Sequence, residues 1–200
     1  MTRVTASLSV SLDGFSSGPN QSEELPFGEG VGERLHRWMF EAGDDHAAEI
    51  AANLAPDAFI MGRNMFGPVR GEWAGSDWRG WWGPEPPFHS PVFVLTHHPR
   101  EMLIMKSGTT FSFVTDGIEA ALELALNVAG KHGTVGVAGG ASTINQYLAA
   151  DLIDELRLQI VPIVVGAGDR FTDGLDSFGL APVAARHHRL ATHITYRRLR

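Results

Sequence analysis

The segment that most constrains the fold is residues 134–148, TVGVAGGASTINQYL, in which an apolar run ends in two glycines and opens directly into a helical pattern. The run over 134–138 is short and partly β-branched, which is typical of a buried strand. Apolar residues then recur at helical spacing, which predicts a helix over 142–150. Gly139 and Gly140 therefore lie in a tight turn that leads from a strand into a helix.

This strand-to-helix turn has two interpretations. Glycine lets the backbone adopt positive φ and lets a ligand approach closely, and the free N–H groups of a first helical turn bind anions. A glycine pair is equally compatible with a turn that is merely tight. A standard dinucleotide-binding motif is excluded, because Gly136 lies inside the predicted strand and the G-x-G-x-x-G spacing is not met.

Strand and helix patterns alternate along the chain, which predicts an α/β fold with a mostly parallel central sheet in a single domain over 1–200. We expect flanking helices over 33–40, 44–54, 117–129 and 142–150, and an antiparallel closing pair of strands over 183–188 and 193–199. In the second helix, the predicted buried stripe comprises Ala47, Ile50, Ala51 and Leu54.

Four predicted strands end in residues suited to binding. In parallel sheets, ligands bind beyond the carboxyl ends of the strands. The strand ends in question are Asp13-Gly14, Gly62-Arg63, Thr96-His97 and Gly139-Gly140. We therefore expect these residues to converge on one crevice.

Residues 67–91 have no periodicity and hold four of the five tryptophans, Trp73, Trp78, Trp81 and Trp82. A loop of this length without secondary structure is uncommon unless it covers a site. A packed surface excursion and a subunit interface are the alternatives. Exposed tryptophans and the antiparallel closing pair would leave apolar surface for a two-fold partner, so we expect a homodimer.

Composition excludes several classes of function. The formal net charge of −7 argues against a nucleic-acid partner. The absence of cysteine removes thiolate nucleophiles, cysteine-based zinc sites and disulfides, and it is compatible with a reducing cytoplasm. The nine histidines show no H-E-x-x-H spacing, and His97-His98 and His187-His188 are adjacent pairs, so we expect no metal site. Without a signal peptide or a run long enough to span a membrane, we expect a cytoplasmic protein with no membrane partner.

Several of these motifs together resemble a known superfamily. Residues 11–14 (SLDG), 59–63 (FIMGR) and 92–96 (VFVLT) resemble the pattern of the dihydrofolate reductase superfamily. The glycine turn at 139–141, with residues 152–156 and 162–168, is closer to one branch. That branch is the reductase domain of the bifunctional riboflavin-biosynthesis deaminase-reductase with its stand-alone relatives. The resemblance runs nearly end to end and implies a dihydrofolate-reductase-like three-layer sandwich.

The resemblance also implies an NADPH-dependent reductase, often a homodimer, that transfers hydride to a small planar heterocycle resembling a pyrimidine or a pteridine. The turn over 139–143 would lie over the cofactor's pyrophosphate, and Arg63 would add a permanent charge. Residues 96–100 (THHPR) end a central strand with a hydroxyl, two imidazoles and a guanidinium, which suit the 2′-phosphate at the adenosine ribose, and a solvated loop is the alternative. A non-catalytic NADP(H)-binding sensor or partner protein remains the alternative, because fold does not fix function. The candidate cofactor-binding residues are Gly62, Arg63, Asn64, Thr96, His97, Gly139, Gly140, Ala141, Ser142 and Thr143.

Candidates for the substrate side are fewer. Asp13 is a proton source, a group that orients water, or simply the Asp of an Asp-Gly turn. Trp38 and Phe40 form either a stacking wall for a substrate ring or part of the core. Arg3 and Thr5 occupy the first strand where the riboflavin enzyme tends to carry a lysine, so we expect weak or no turnover of its phosphoribosylaminouracil intermediate.

Overall fold

The computed structural model describes residues 1–68, 70–73 and 76–199, so Val69, Ala74 and Gly75 of the tryptophan-rich loop, and Arg200, lie outside the described residues. The strands are β1 Arg3–Ser11, β2 Phe15–Ser17, β3 Ala58–Gly62, β4 Pro91–Leu95, β5 Leu103–Ile104, β6 Thr110–Val114, β7 Thr134–Gly139, β8 Glu155–Val161, β9 Asp169–Arg170, β10 Leu180–His187 and β11 Thr192–Arg198. The α-helices are α1 Arg37–Phe40, α2 Ala47–Leu54, α3 Arg63–Phe66, α4 Gly117–Ala129 and α5 Ala141–Ala149.

Nine of the described strands form one sheet in the order β10-β11-β8-β1-β7-β3-β4-β6-β5. The six strands from β8 to β6 run parallel to one another, whereas β10, β11 and β5 are antiparallel to their neighbours. This confirms the predicted α/β fold, the mostly parallel sheet and the antiparallel closing pair. The sequence patterns did not indicate β5 or the small β2-β9 sheet.

Strand alternation sends side chains into a core on each face of the sheet. In β3, Ala58 and Ile60 belong to the core that packs under α4 and α5, whereas Phe59 and Met61 belong to the core on the opposite face. Helix α4 carries its buried side chains, Ala121, Leu122 and Ala125, on one stripe, as its sequence predicts. The two helices therefore cover one face and leave the opposite face to loops and short helices.

On that opposite face, residues 31–54 cover the polar side of β1, where the Trp38 indole N–H donates to the Ser9 hydroxyl at 3.1 Å. The predicted helix over 33–40 is a 3₁₀ turn, Gly32–His36, followed by one turn of α-helix. The predicted helix over 44–54 also begins as a 3₁₀ turn, Gly43–His46, before α2. The predicted buried stripe is wrong: Ala47 and Ala51 are exposed, and Ile50 and Leu54 are half-buried.

The tryptophan-rich loop packs against the same face under β3, β4 and β6. Trp73 is buried, and its ring lies edge-on to Phe66 with 5.9 Å between centroids. Trp78 and Trp82 are half-buried against the same core. The expectation of exposed tryptophans is therefore wrong, because their rings fill a core of the chain itself. None of the helices in the described part of the chain has the length and apolar content needed to span a membrane.

Candidate functional site

A cavity of about 400 Å³ opens at the carboxyl ends of the central parallel strands. It is bounded by Gly62 at the end of β3, Thr96 after β4 and Thr115 after β6. The first residues of both long helices, Gly117 of α4 and Ala141 of α5, complete its wall. Its volume lies in the range of small-molecule sites.

Nearly all of the predicted cofactor-binding residues meet at this cavity. Those in its lining are Gly62, Arg63, Asn64, Thr96, His97, Gly140, Ala141, Ser142 and Thr143. Gly139 is the last residue of β7, immediately before them. Three of the four predicted strand ends therefore converge, and Asp13-Gly14 is not part of the cavity lining.

The turn from β7 into α5 is built by backbone geometry. Gly139 has a φ of +127°, a conformation that favours glycine, and the Gly139–Gly140 peptide bond is cis. Extended Gly140 is the N-cap of α5, and the Thr143 N–H donates to the Gly140 carbonyl at 3.1 Å. The earlier N–H groups of α5 have no acceptor within the helix, so they are available to an anion.

Gly62 allows α5 to begin against β3. A Cβ atom at Gly62 would lie 2.3 Å from the Thr143 hydroxyl, far inside van der Waals contact. A Cβ atom at Gly140, by contrast, would meet nothing within 4 Å. The close contact with Thr143 explains why residue 62 is a glycine. At Gly140, by contrast, the missing side chain leaves open space beside the N-terminus of α5.

Positive charge is concentrated on one side of the cavity. The Arg63 guanidinium donates to the Thr96 hydroxyl at 3.3 Å and lies 3.7 Å from the centre of the Trp73 ring. Burial, and then the positive charges of Arg70 and Arg100, lower the pKa of Arg63. The cost of holding these cations together falls when an anion binds among them.

Sequence reasoning missed about half of the cavity lining. The strand-end rule, applied also to β6 and to the start of α4, finds Val114, Thr115, Gly117 and Ile118. Leu95 ends β4 and His98 lies in the segment that follows it, so the strand-end rule covers both. No local signal marks the remaining residues, which reach the cavity only through the tertiary fold: Arg70, Gly71, Gln146 and Asp169.

The Asp13 side chain binds the backbone of residues 165–166. Its carboxylate accepts hydrogen bonds from the Ser11 hydroxyl at 2.6 Å and from the N–H groups of Val165 at 3.1 Å and Gly166 at 2.7 Å. Above all the Ser11 bond, and then the two backbone bonds, lower the pKa of Asp13 to about 2. The carboxylate therefore holds the 165–166 turn, and its role as a proton source stays a prediction.

Trp38 and Phe40 lie apart from the cavity. Trp38 is fully buried in the core formed by residues 31–38 with Val161 and Ala191, and Phe40 is exposed at the end of α1. Neither side chain is in the cavity lining. The interpretation of this pair as a stacking wall for a ring bound in the cavity is therefore corrected: Trp38 is a core residue.

A glycine turn and two helix N-termini beside clustered arginines, at the carboxyl end of a mostly parallel sheet, are typical of a class of protein, the α/β domains with a ligand cavity at that edge. The family model of the RibD C-terminal domain matches residues 2–193 of this chain. The chain therefore belongs to the RibD C-terminal domain family. This is a family of reductase-like domains of the riboflavin pathway that generally use a nicotinamide cofactor.

Solved structures agree on the fold. The chain is similar to a crystal structure of a protein from Shewanella sp. PV-4 that is provisionally assigned to riboflavin biosynthesis. The identity is 22%, the TM-score is 0.64, and the match covers 100% of each chain. At that identity the likeness establishes the dihydrofolate-reductase-like fold. No curated protein matches the chain in sequence.

Proposed function

We propose that the protein is an NADPH-dependent reductase that transfers hydride to a small planar heterocycle resembling a pyrimidine or a pteridine. The observation that carries this proposal is the convergence of Arg63 and the N-termini of α4 and α5 on one cavity. Family membership supplies the reaction class, since the family consists of reductase-like domains.

The residues present fit a dinucleotide. The N-terminus of α5, with open space beside Gly140 and the hydroxyl groups of Ser142 and Thr143, suits a diphosphate. Once bound, the cofactor supplies the hydride. The chain itself positions the reactants, which converts an encounter in solution into an oriented contact.

Arg63, Thr96 and His97 favour NADPH over NADH. The two cofactors differ by a 2′-phosphate, and this group of side chains offers a guanidinium, a hydroxyl and an imidazole at adjacent strand ends. A charge-assisted hydrogen bond is worth about 1.5–3 kcal/mol. One such bond already gives about a tenfold to a hundredfold preference.

The substrate is proposed by class only. Arg3 lies 3.7 Å from Glu155 at the amino end of β1, and Thr5 is buried in the same strand. Neither residue is in the cavity lining, so their departure from the riboflavin enzyme gives no structural reason to exclude the phosphoribosylaminouracil intermediate. The proposal therefore covers that intermediate and related heterocycles.

The first experiment is a thermal-shift panel with NADPH, NADH, flavins, folates and pyrimidines, followed by NADPH oxidation assays with the heterocycles that bind. A ligand at about 100 times its dissociation constant stabilises the folded chain by about 2.7 kcal/mol. We expect NADPH to give the largest shift and at least one heterocycle to be reduced. NADPH binding without turnover of any heterocycle would favour the non-catalytic sensor instead.

A charge placed at the start of α5 tests the location of the site. Ser142→Asp adds a carboxylate at the helix N-terminus, where the helix dipole favours negative charge, so the fold should be retained. The same carboxylate repels a diphosphate, and we expect NADPH affinity to fall by about tenfold or more. The matched control is Ala150→Asp, which adds the same charge at the other end of α5. Equal NADPH affinity in the two variants would contradict this location.

A further inference from the structure

A second cluster of chemically active side chains lies outside the cavity and consists of His46, Glu49 and His193. The Nδ1 atom of His46 and the Nε2 atom of His193 lie 2.8 Å apart. One candidate ligand atom from each of the three residues lies within 4.8 Å of the other two. Both imidazoles are almost completely buried, at 1% and 6% exposure.

Two separate parts of the fold bring these residues together. His46 ends the Gly43–His46 turn, and Glu49 follows it on the first turn of α2. His193 lies on β11, and the ring of His188 lies 4.8 Å from that of His46. The cluster therefore joins the start of α2 to the carboxyl-terminal strands of the sheet.

Hydrogen bonding within the chain leaves this cluster incompletely satisfied. Two imidazole nitrogens that face each other form a single hydrogen bond, with one ring as donor and the other as acceptor. The second nitrogen of His193, Nδ1, is buried and has no hydrogen-bond partner among the described residues. A buried polar atom without a partner is costly, so hydrogen bonds within the described chain do not fully satisfy this pair of rings.

The position of Glu49 is set by Arg186. The guanidinium donates to both carboxylate oxygens of Glu49, through Nε at 2.5 Å and through Nη2, and also donates to the Asp45 carbonyl at 3.1 Å. A carboxylate has about four lone-pair sites, so this contact leaves acceptor capacity on Glu49. Ligating carboxylates are commonly held by an outer hydrogen bond of this kind.

We propose that His46, Glu49 and His193 bind a divalent transition-metal ion, with Zn²⁺ as the best match. Two imidazoles and one carboxylate are a set of ligands that Zn²⁺ takes, whereas Mg²⁺ and Ca²⁺ prefer oxygen. At Zn–N distances of about 2.0–2.1 Å, tetrahedral geometry places two ligand nitrogens about 3.3 Å apart. The facing nitrogens of His46 and His193 lie 2.8 Å apart, so ion binding requires the two rings to separate by about half an ångström and to turn until both nitrogens point at the ion. Water or the nearby His188 completes the fourth position.

The ion would anchor α2. No side chain of α2 is fully buried, so packing alone attaches this helix weakly to the sheet. Coordination by Glu49 and His46 on one side and His193 on the other would attach it directly to β11. Local histidine spacing predicts no metal site, because the two histidines that meet here, His46 and His193, are 147 positions apart in the chain.

The test uses the full chain after treatment with a chelator. We expect a titration with Co²⁺ to produce the visible absorption of a four-coordinate ion at one equivalent per chain, and Zn²⁺ to displace it. We also expect Zn²⁺ alone to raise the melting temperature. Absence of stoichiometric binding at micromolar protein concentrations would overturn the proposal.

Variants locate the ion. Loss of an outer-shell partner already costs about 10–100-fold in metal affinity, so loss of a ligand in His193→Gln or Glu49→Gln should cost at least as much. Glu49 is only partly buried, so Glu49→Gln remains informative if His193→Gln fails to fold. The matched control is His132→Gln at an exposed position, which should bind Co²⁺ like the native chain. Equal affinity in Glu49→Gln and His132→Gln would overturn the assignment.

Discussion

At Gly62 a single hydrogen atom in place of a side chain decides how closely α5 approaches β3. The Thr143 hydroxyl occupies the position that a methyl group would need, at 2.3 Å. Since Thr143 is on the first turn of α5, the identity of residue 62 also sets the position of the proposed diphosphate site. This residue therefore links local packing to ligand binding.

Gly62→Ala should destabilise the fold by about 1–3 kcal/mol, the usual cost of overpacking. Adding Thr143→Ala removes the clashing oxygen and should restore most of that loss, because the next atoms lie at 3.6 Å or beyond. The control is Gly43→Ala, where the added Cβ would meet its nearest neighbour at 3.7 Å. Denaturant unfolding measures the free energy of unfolding of the native chain, Gly62→Ala, the double variant and Gly43→Ala. A Gly62→Ala variant as stable as Gly43→Ala would contradict this account.

His36 is expected to make stability depend on pH. It stacks on Phe27 at 4.5 Å, its Nδ1 has no partner among the described residues, and burial lowers the pKa of His36 to about 4. In the unfolded chain the ordinary pKa is about 6.5. As pH falls from about 6.5 to 4, the unfolded chain therefore binds a proton at His36 that the folded chain does not. The contribution of neutral His36 to the free energy of unfolding, which is fully present above pH 6.5, is lost over this range.

His36→Phe keeps the stacked ring and removes the titration. The free energy of unfolding of the native chain should fall between pH 7 and pH 4. We expect that of His36→Phe to fall less, by on the order of 2 kcal/mol. His132→Phe changes an exposed ring and should leave the pH dependence as it is. Thermal unfolding at several pH values provides the measurement. Parallel pH curves for the native chain and His36→Phe would contradict the prediction.

At the scale of elements, sequence periodicity predicted the parallel strands, α4 and α5 to within a few residues. These elements carry a continuous apolar stripe or run, so burial and local pattern agree. The segment over 32–54 differs, because its short turns are held by tertiary contacts such as that of Trp38 with Ser9. Periodicity there predicted two regular helices and a buried stripe on the second. The first is a 3₁₀ turn with one α-helical turn, the second is regular only over 47–54, and its predicted stripe is not buried.

The cavity lining also contains residues that the sequence predicted and residues that it did not. Residues at strand ends were predictable, because parallel strands place their carboxyl ends along one edge and helix N-termini follow them directly. Arg70 reaches the cavity from a loop and Asp169 from the two-residue strand β9, and neither segment has a periodic signal. Asp13 stands at a strand end but turns to the backbone of residues 165–166, a contact that no local pattern records.

At the scale of the whole molecule, one sheet carries two separate candidate sites. The cavity lies at the ends of β3, β4, β6 and β7, and the His46 cluster lies beside β11. None of the three residues of the cluster is in the cavity lining. Metal binding and cofactor binding are therefore expected to be measurable independently.

The homodimer remains a prediction, and other exposed apolar residues now support it in place of the tryptophans. The tryptophans are packed into the chain, but α2 keeps Ala47 and Ala51 exposed, and the edge strand β10 exposes Val183. We expect light scattering at micromolar concentration to give twice the mass of the 21.7 kDa chain. A monomer mass would rule this assembly out.

The most direct test of the central claim, that the cavity binds NADPH through the strand-end residues, is a comparison of dissociation constants for NADPH and NADH. The chains to compare are the native protein, Arg63→Ala, Thr96→Val and Arg34→Ala, the last an exposed arginine that donates to the Gly30 carbonyl. We expect the native chain and Arg34→Ala to prefer NADPH by about tenfold to a hundredfold, and Arg63→Ala and Thr96→Val to narrow that preference. If NADH binds the native chain as tightly as NADPH, or if neither cavity substitution narrows the difference, the account of this site is contradicted.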